Sequence, residues 1–246
     1  MKETHQLKIL QLNVWTGRIK GALIDFIKNG NFDVVCLQEA VWSDNRTIDN
    51  LFVTVDEIKE ACGFKYDSRA SNWGLNILDS VMEQGNVILS REPFENEEIR
   101  NVDGQYSMIT TTNDFYHHLY TIQKVKLKSG LTIFNHHGYW DKNPLGNDET
   151  VRVMKNVASF VREATGPVVM CGDLNIIYDS PAIRELDFLT DLTHKYNIDN
   201  TLAGLKFNGK VACDHVLISD DITVKNFTVE NRIVSDHKAL ITEIEY

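Results

Sequence analysis

The amino-acid sequence predicts an α/β protein in which mixed β-sheets are covered by helices. Short apolar runs of strand length alternate along the 246 residues with apolar residues at helical spacing. Several neighbouring strands are close enough in sequence to form hairpins, which a purely parallel, doubly wound sheet does not contain. Clusters of polar residues are spread over the whole chain, so we expect one domain, residues 1–246, with a site at one edge.

The first quarter of the chain predicts two strands and two helices. Residues 7–12 and 33–38 are apolar runs typical of strands. Apolar residues between 19 and 27 recur at helical spacing, and Gly30 is expected to end this helix. A second amphipathic pattern predicts a helix at 55–62.

The rest of the chain continues this alternation. Strands are predicted at 86–90, 107–112, 118–127, 131–134, 167–171, 213–218, 223–229 and 239–244. Residues 128–130 predict a hairpin turn, and apolar spacing over 153–161 predicts a helix. A short helix is expected to open at Pro181, because proline is favoured in the first turn.

The composition is that of a soluble protein of a reducing compartment. The four cysteines are scattered, which argues against a disulfide or zinc framework. Residues 1–6 are polar and carry no secretory signal, and no apolar stretch approaches the roughly 18 residues of a membrane span. We therefore expect a cytoplasmic protein. The net charge of −10 counts against avid, non-specific binding of nucleic acid.

A carboxylate and an amide stand at the ends of the first two predicted strands. Glu39 follows the buried run 33–38, and a carboxylate at the mouth of a strand suits a hard cation such as Mg²⁺. A capping or surface Glu would give the same pattern. Asn13 ends the first strand, where its amide can orient a neighbouring carboxylate or contact the metal. A turn-forming Asn before Gly17 is the alternative.

The segment Gly172-Asp173-Leu174-Asn175 gives a sharper signal. The preceding strand is expected to present Asp173 and Asn175 on the same side, and Gly172 to let a phosphate come close. Asp173 can then accept a proton from an attacking water, and the amide of Asn175 can hold a phosphoryl oxygen. An Asx turn between strand and helix is the alternative.

Two histidine clusters complete the set. In Ser235-Asp236-His237, Asp236 is interpreted as a second metal carboxylate, and Asp214 as the partner that fixes the tautomer of His237. His237 alone would more often be a satisfied core histidine. Of the adjacent His136 and His137, at most one is expected to serve the site, because neighbouring strand residues point to opposite faces. A surface pair is the alternative.

In order and spacing, these clusters resemble the endonuclease/exonuclease/phosphatase superfamily. The resemblance covers residues 10–244 and rests on Gly172-Asp173-Leu174-Asn175 and Ser235-Asp236-His237, with Gln38-Glu39 far upstream. It implies a four-layer α/β sandwich, in which two mixed β-sheets pack face to face with helices on the outside. It also implies Mg²⁺ or Mn²⁺ as cofactor and in-line attack of water on a phosphoester.

The same resemblance implies the role of single residues. Those matching positions at or near the metal are Asn13, Glu39 and Asp236. Those matching positions that bind phosphate or handle protons are His137, Asp173, Asn175, Asp214 and His237. Within this second set, Asp173 matches the residue proposed to activate water.

The chain departs from the family pattern in identifiable places. Asn135-His136-His137-Gly138 stands where Asn-Thr-His-Leu is common, so the choice of His137 over His136 rests on register. His215 stands where an aromatic residue is common. The segments expected to be substrate-selecting loops are 41–50, 71–85, 141–148 and 200–211.

The sequence thus predicts a Mg²⁺-dependent phosphodiesterase or phosphomonoesterase, with a phosphoester as its partner and no protein partner evident. The lack of a dense Lys/Arg stripe favours a small or lipid-like phosphoester, or a nucleic-acid end, over a long duplex. One alternative is a catalytically silent binding module on the same scaffold. The other is a zinc hydrolase centred on His136, His137 and Asp141, which lacks a His-Glu-x-x-His helix.

Overall fold

Two mixed β-sheets packed face to face form the centre of the protein, which confirms the predicted architecture. The computed structural model describes residues 4–111, 118–206 and 209–246. In spatial order, the first sheet contains β12 (Thr223–Val229), β13 (Leu240–Glu245), β1 (Gln6–Asn13), β2 (Val34–Trp42), β4 (Ser80–Ser90), β3 (Tyr66–Ile77) and β6 (Ser107–Met108). The second contains β10 (Thr190–Asp191), β11 (Asp214–Ile218), β9 (Val168–Asp173), β8 (Thr132–His137), β7 (Tyr120–Leu127) and β5 (Phe94–Asp103).

Helices cover the outer face of each sheet. The α-helices are α1 (Ala22–Gly30), α2 (Val55–Cys62), α3 (Asp148–Val161) and α4 (Leu192–Lys195). Short 3-10 helices lie at Trp15–Gly17, Arg46–Asn50 and Pro181–Leu186. The apolar faces of α1 and α2 pack on the first sheet, and that of α3 packs on the second. These contacts give the order helix, sheet, sheet, helix.

The middle layer between the sheets is apolar over most of its extent. Ile9, Val34 and Ile88 of the first sheet meet Ile133 and Val169 of the second, and all five are fully buried. Burial on both faces explains why these strands read as continuous apolar runs in the sequence. Towards one edge, the apolar layer gives way to buried amides.

A chain of hydrogen-bonded amides crosses this part of the interior. Gln38 donates to Gln11 (2.8 Å) and to Asn135 (2.7 Å), and Asn135 donates to Gln123 (3.1 Å). All four side chains are fully buried. These hydrogen bonds join the two sheets, and among the polar atoms of the four side chains only the side-chain oxygen of Gln38 is buried without a partner in the described part of the chain.

Residues 71–85, expected to be a loop, form most of a long β3–β4 hairpin. The sequence of β3 contains several polar residues, so the strand shows no apolar pattern by which it could be predicted. Ser68 and Asn72 are buried because they accept hydrogen bonds from Gln123 and Thr121 of the opposite sheet. The strand predicted at 107–112 is a strand only at Ser107–Met108, and its last residue lies outside the described residues.

Among the described residues, no helix combines the length and apolar character that crossing a bilayer requires.

Candidate functional site

The predicted polar residues meet at one edge of the two sheets. Asn13, the last residue of β1, pairs with Gln38 of the parallel strand β2, next to Glu39, and the parallel neighbours β8 and β9 end with His137 beside Asp173. Strand β11 is antiparallel to β9, so its first residue, Asp214, pairs with Asp173. Strand order and direction alone therefore bring together residues that lie far apart in sequence.

These residues surround a cleft of about 920 Å³. Six of the eight predicted site residues line it, namely Glu39, His137, Asp173, Asn175, Asp236 and His237. The other two, Asn13 and Asp214, lie directly behind and are hydrogen-bonded to residues of the lining. The site is thus a solvent-accessible cleft with a buried, hydrogen-bonded floor.

Asp173 is the centre of the site. Its Oδ2 accepts from Asn13 Nδ2 at 3.0 Å and lies 3.6 Å from the Nε2 atoms of both His137 and His237. Its Oδ1 accepts the backbone N–H of Asn175. Burial raises the pKa of this carboxyl group, but the two histidines and the Asn13 bond outweigh burial and hold it below its usual value. Asp173 is therefore a carboxylate at neutral pH.

The segment 173–175 forms the Asx turn that was the alternative prediction and also presents Asp173 to the cleft. The Asp173–Asn175 bond is an Asx turn, while the second carboxylate oxygen faces the cleft. Asn175 adopts a left-handed backbone (φ 56°), and its side chain donates to the carbonyl of Gly138. A Cβ at Gly172 would lie 2.2 Å from the carbonyl oxygen of His136, so the close approach of the neighbouring strand β8 requires a glycine at this position.

Asp214 orients His237 as predicted from the sequence. Asp214 Oδ2 accepts from His237 Nδ1 at 2.8 Å, which leaves Nε2 facing Asp173. Burial lowers the pKa of His237, but the carboxylates of Asp214 and Asp173 raise it well above the usual value. Burial likewise raises the pKa of Asp214. The ring of His237 therefore lies between the carboxyl groups of Asp214 and Asp173 at the floor of the cleft.

Among the described residues, the one compact group of side chains with atoms that could ligate a metal is Asp173, Cys213, Asp214 and His237. The donor atoms of this group lie within 4.8 Å of one another. Burial raises the pKa of the Cys213 thiol, so the sulfur is not a thiolate at neutral pH. Both oxygens of Asp214 already accept hydrogen bonds, from Gln11 and His237. This group is therefore a hydrogen-bonded network more than an open metal cage.

Glu39 reaches the cleft because β2 does not end where the sequence suggested. The strand continues to Trp42, with a bulge between Leu37 and Ala40 that puts Glu39 at φ 52°. A bulge of this kind re-aims one side chain of a strand. The side-chain nitrogen of Asn13 donates to Glu39 Oε1 at 3.1 Å, and its oxygen accepts from the N–H of Trp15. Asn13 thus orients two carboxylates, and its oxygen is engaged by the backbone.

Asp236 lines the cleft and already pairs with a cation. Its Oδ2 is 2.6 Å from Nζ of Lys206, which also lies 4.5 Å from the centre of the Trp15 ring. Sequence reasoning did not single out Lys206. Its segment was expected to be a substrate-selecting loop, but nothing in the spacing indicated a contact with the terminal Asp-His motif.

The two adjacent histidines face opposite sides of β8. His137 faces the cleft and Asp173. His136 is fully buried, and its Nδ1 is 2.9 Å from the carbonyl oxygen of Thr121. Burial lowers the pKa of His136 to about 4, so this ring is neutral and structural. The geometry therefore favours His137 as the site histidine.

His215, the second departure from the family pattern, forms a buried ion pair behind the site. Its Nδ1 lies 2.8 Å from Asp191 Oδ2, and its Nε2 lies 2.8 Å from the carbonyl oxygen of Ile176. Two acceptors require that both nitrogens carry protons. Burial lowers the pKa of His215, but Asp191 and the carbonyl raise it above the usual value.

Replacing His215 with Gln is expected to lower the free energy of unfolding by about 3 kcal/mol near pH 6, because it leaves a buried carboxylate unpaired. The folded pKa of His215 lies above its unfolded value, so the pair stabilises fully below about pH 6.5 and less as pH rises through the folded pKa. Urea unfolding at several pH values measures both effects. His194→Gln, an exposed histidine, is the control. A loss of stability that grows with pH would contradict this assignment.

Comparison with known proteins agrees with the geometry. A family model described as "Endonuclease/Exonuclease/phosphatase family" matches residues 10–237. A search of curated proteins finds no match. Among solved structures, the chain is similar to an endonuclease/exonuclease/phosphatase from Beutenbergia cavernae (18% identity, 97% of this chain and 71% of that one, TM-score 0.72).

Two further structures carry more specific names. ANGEL2, a 2′,3′-cyclic phosphatase in complex with adenosine-2′,3′-vanadate, is 11% identical over 98% of this chain and 96% of that one, with TM-score 0.71. A mannosyl-6-phosphatase of Bacteroides thetaiotaomicron is 14% identical over 97% and 99%, with TM-score 0.64. At these identities the likeness is one of fold.

Proposed function

Because the chain belongs to the endonuclease/exonuclease/phosphatase family, whose members are phosphoester hydrolases, we propose that it cleaves a phosphoester by in-line attack of water, with Mg²⁺ or Mn²⁺ as cofactor. The observation that carries this proposal is Asp173. It is a buried carboxylate held ionised by two histidines and an amide, with one oxygen facing the cleft.

The residues of the cleft fit a hard divalent cation. Glu39 and Asp236 offer carboxylate oxygens, which Mg²⁺ and Mn²⁺ prefer. Asp236 already attracts the ammonium group of Lys206, so this side of the cleft favours positive charge. A metal ion held there supplies charge neutralisation at the phosphoryl oxygens and the leaving group.

In this proposal, the other residues of the cleft have separate roles in hydrolysis. Asp173 positions the attacking water and accepts its proton. His137 and the Asp214-supported His237 face Asp173 from either side and can donate to phosphoryl oxygens, as can the side-chain amide of Asn175. Donors fixed before the reaction stabilise a developing charge without further reorganisation.

Hydrolysis of bis(p-nitrophenyl) phosphate tests the proposal. We expect turnover with Mg²⁺ or Mn²⁺, loss of turnover with EDTA, and recovery when the metal is restored. Equal turnover with and without EDTA would contradict the metal requirement. No hydrolysis of this diester or of p-nitrophenyl phosphate by folded protein would contradict the function.

Lys206→Met is expected to strengthen Mg²⁺ binding by up to about fivefold, because it removes a cation that competes for Asp236 and a half-exposed ion pair is worth about 1 kcal/mol at most. Calorimetric titration of the purified variant with Mg²⁺ measures this change. Lys210→Met, in the same loop but paired with Asp199, is the matched control. Weaker Mg²⁺ binding by Lys206→Met would show that the ammonium does not compete with the metal.

A further inference from the structure

The buried amides that cross the interior reach the floor of the cleft at one end. We call them the amide row, which consists of Gln11, Gln38, Asn135 and Gln123. At its end, Gln11 Nε2 donates to Asp214 Oδ1 at 2.8 Å, and Asp214 Oδ2 accepts from His237. Hydrolysis as proposed involves Asp214 and His237 directly, and Gln11 lies one hydrogen bond behind them.

Two backbone carbonyl groups fix which way round the amide of Asn135 lies. Asn135 Nδ2 donates to the carbonyl oxygens of Leu37 (2.9 Å) and Val87 (3.1 Å), which belong to β2 and β4 of the first sheet. Because a carbonyl oxygen can only accept, the amide must face both of them with its NH₂ group. The side-chain oxygen of Asn135 therefore points away from them, towards Gln38.

This direction passes through two further amides to Asp214. Asn135 Oδ1 lies 2.7 Å from Gln38 Nε2, so Gln38 must donate to it. The same nitrogen lies 2.8 Å from Gln11 Oε1, which leaves the NH₂ group of Gln11 facing Asp214 Oδ1. Since all of these side chains are fully buried, turning any one amide around would set acceptor against acceptor with no water to relieve it.

Gln38 keeps this donor arrangement in spite of a cost. Its nitrogen serves two acceptors, whereas its own oxygen is buried without a partner in the part of the chain that the structure describes. An unpaired buried acceptor is unfavourable, and such a group in a folded protein calls for an explanation. The explanation offered by the geometry is that this position needs the donor that orients Gln11.

We propose that Gln11 is a positioning residue that holds the Asp214 carboxylate in the orientation His237 needs, an inference that rests on the proposed hydrolytic function. With one oxygen fixed by Gln11 and the other by His237 Nδ1, the carboxylate cannot rotate freely. His237 Nε2 is thereby directed towards Asp173, 3.6 Å away. The orienting direction starts at the backbone of the first sheet and reaches Asp214 on the second.

Gln11→Met and Gln123→Met test the proposal as a matched pair. Each replaces a fully buried amide of the same row with a side chain of similar size. Gln123 lies at the other end of the row, where it accepts from Asn135 and donates to Ser68. Both variants are therefore expected to lose stability to a similar extent in urea unfolding.

Only Gln11→Met is expected to lose catalysis. Its kcat for bis(p-nitrophenyl) phosphate should fall roughly 10 to 100-fold, which is the usual effect of removing an outer partner that orients a functional side chain. Its affinity for Mg²⁺, measured by calorimetric titration, should stay at the wild-type value, because Gln11 acts on Asp214 and not on Glu39 or Asp236. Gln123→Met should keep both the wild-type kcat and the wild-type affinity.

Proton NMR of protein with isotope-labelled histidine reports this geometry without depending on turnover. A ring N–H that donates to a carboxylate gives a strongly deshielded signal, and we expect one from His237 Nδ1 and one from His215 Nδ1. His237→Gln and His215→Gln assign the two signals. In Gln11→Met, the His237 signal should shift or vanish while the His215 signal remains. Both signals should remain in Gln123→Met.

The outcomes separate the two proposals. An unchanged His237 signal in Gln11→Met, or the same change in Gln123→Met, would overturn the positioning role. Absence of the His237 signal from the wild type would also overturn it, and this measurement decides even if Gln11→Met does not fold. Equal losses of Mg²⁺ affinity and kcat in Gln11→Met would assign Gln11 to the metal site instead. If the wild type hydrolyses no aryl phosphate while its His237 signal depends on Gln11, the proposed function is wrong and the orientation of Asp214 by Gln11 stands.

Discussion

Asp173→Asn is expected to lower kcat for bis(p-nitrophenyl) phosphate by roughly 10² to 10⁴-fold, which is the usual contribution of a positioned general base. The substitution keeps the shape of the side chain but removes the oxygen anion that faces His137, His237 and the cleft. Because Asn cannot accept the proton of an attacking water in the same way, the loss should fall on kcat more than on KM.

Steady-state kinetics of the Asp173→Asn variant measure this loss, with the free energy of unfolding as a check on folding. Asp179→Asn is the matched control, since Asp179 is exposed and close to Asn175 in sequence but outside the cleft lining. A folded Asp173→Asn variant with a kcat within a few-fold of the wild type would exclude Asp173 as the base.

Glu39→Gln is expected to weaken Mn²⁺ and Mg²⁺ binding by at least about 100-fold, because it would replace the proposed direct carboxylate ligand, and even outer-shell partners are worth 10 to 100-fold. The amide keeps the volume of the side chain and can still accept from Asn13. Turnover should fall in parallel and recover in part at high metal concentration, since the other ligands remain.

Calorimetric titration with Mn²⁺ separates metal binding from catalysis for this variant. Glu83→Gln is the control, because Glu83 lies on β4 and pairs with Tyr106 instead of lining the cleft. If Glu39→Gln lost turnover but bound Mn²⁺ as the wild type does, Glu39 would act on the substrate and not on the metal.

The sequence predicts the layered α/β fold well because its central strands are buried on both faces and read as apolar runs. It fails at β3, where Ser68 and Asn72 are polar yet buried, since their partners lie on the other sheet and are invisible to local pattern. It also ends β2 too early. A bulge at Glu39 leaves no periodic signal, although that bulge turns the side chain into the site.

The sequence singled out most residues of the candidate site, but it did not predict several of the contacts that hold them in place. Motif spacing identified Asp173, Asp214 and His237, because strand ends of neighbouring strands converge at one edge of a sheet. It did not identify Gln11, which holds Asp214 from the opposite sheet, or Lys206, which pairs with Asp236. Both contacts depend on how the two sheets and a long loop pack together, and the spacing of residues along the sequence carries no information about that packing.

The metal position is the most direct test of the central claim that strand ends of both sheets build a metal-dependent phosphoesterase site. Crystals grown with Mn²⁺ and inorganic phosphate would show the ion by its anomalous scattering. The site described here predicts a peak beside the carboxylates of Glu39 and Asp236, with phosphate oxygens near Asn175 and His237. A peak within the buried group of Cys213, Asp214 and His237, or none in the cleft, would contradict it.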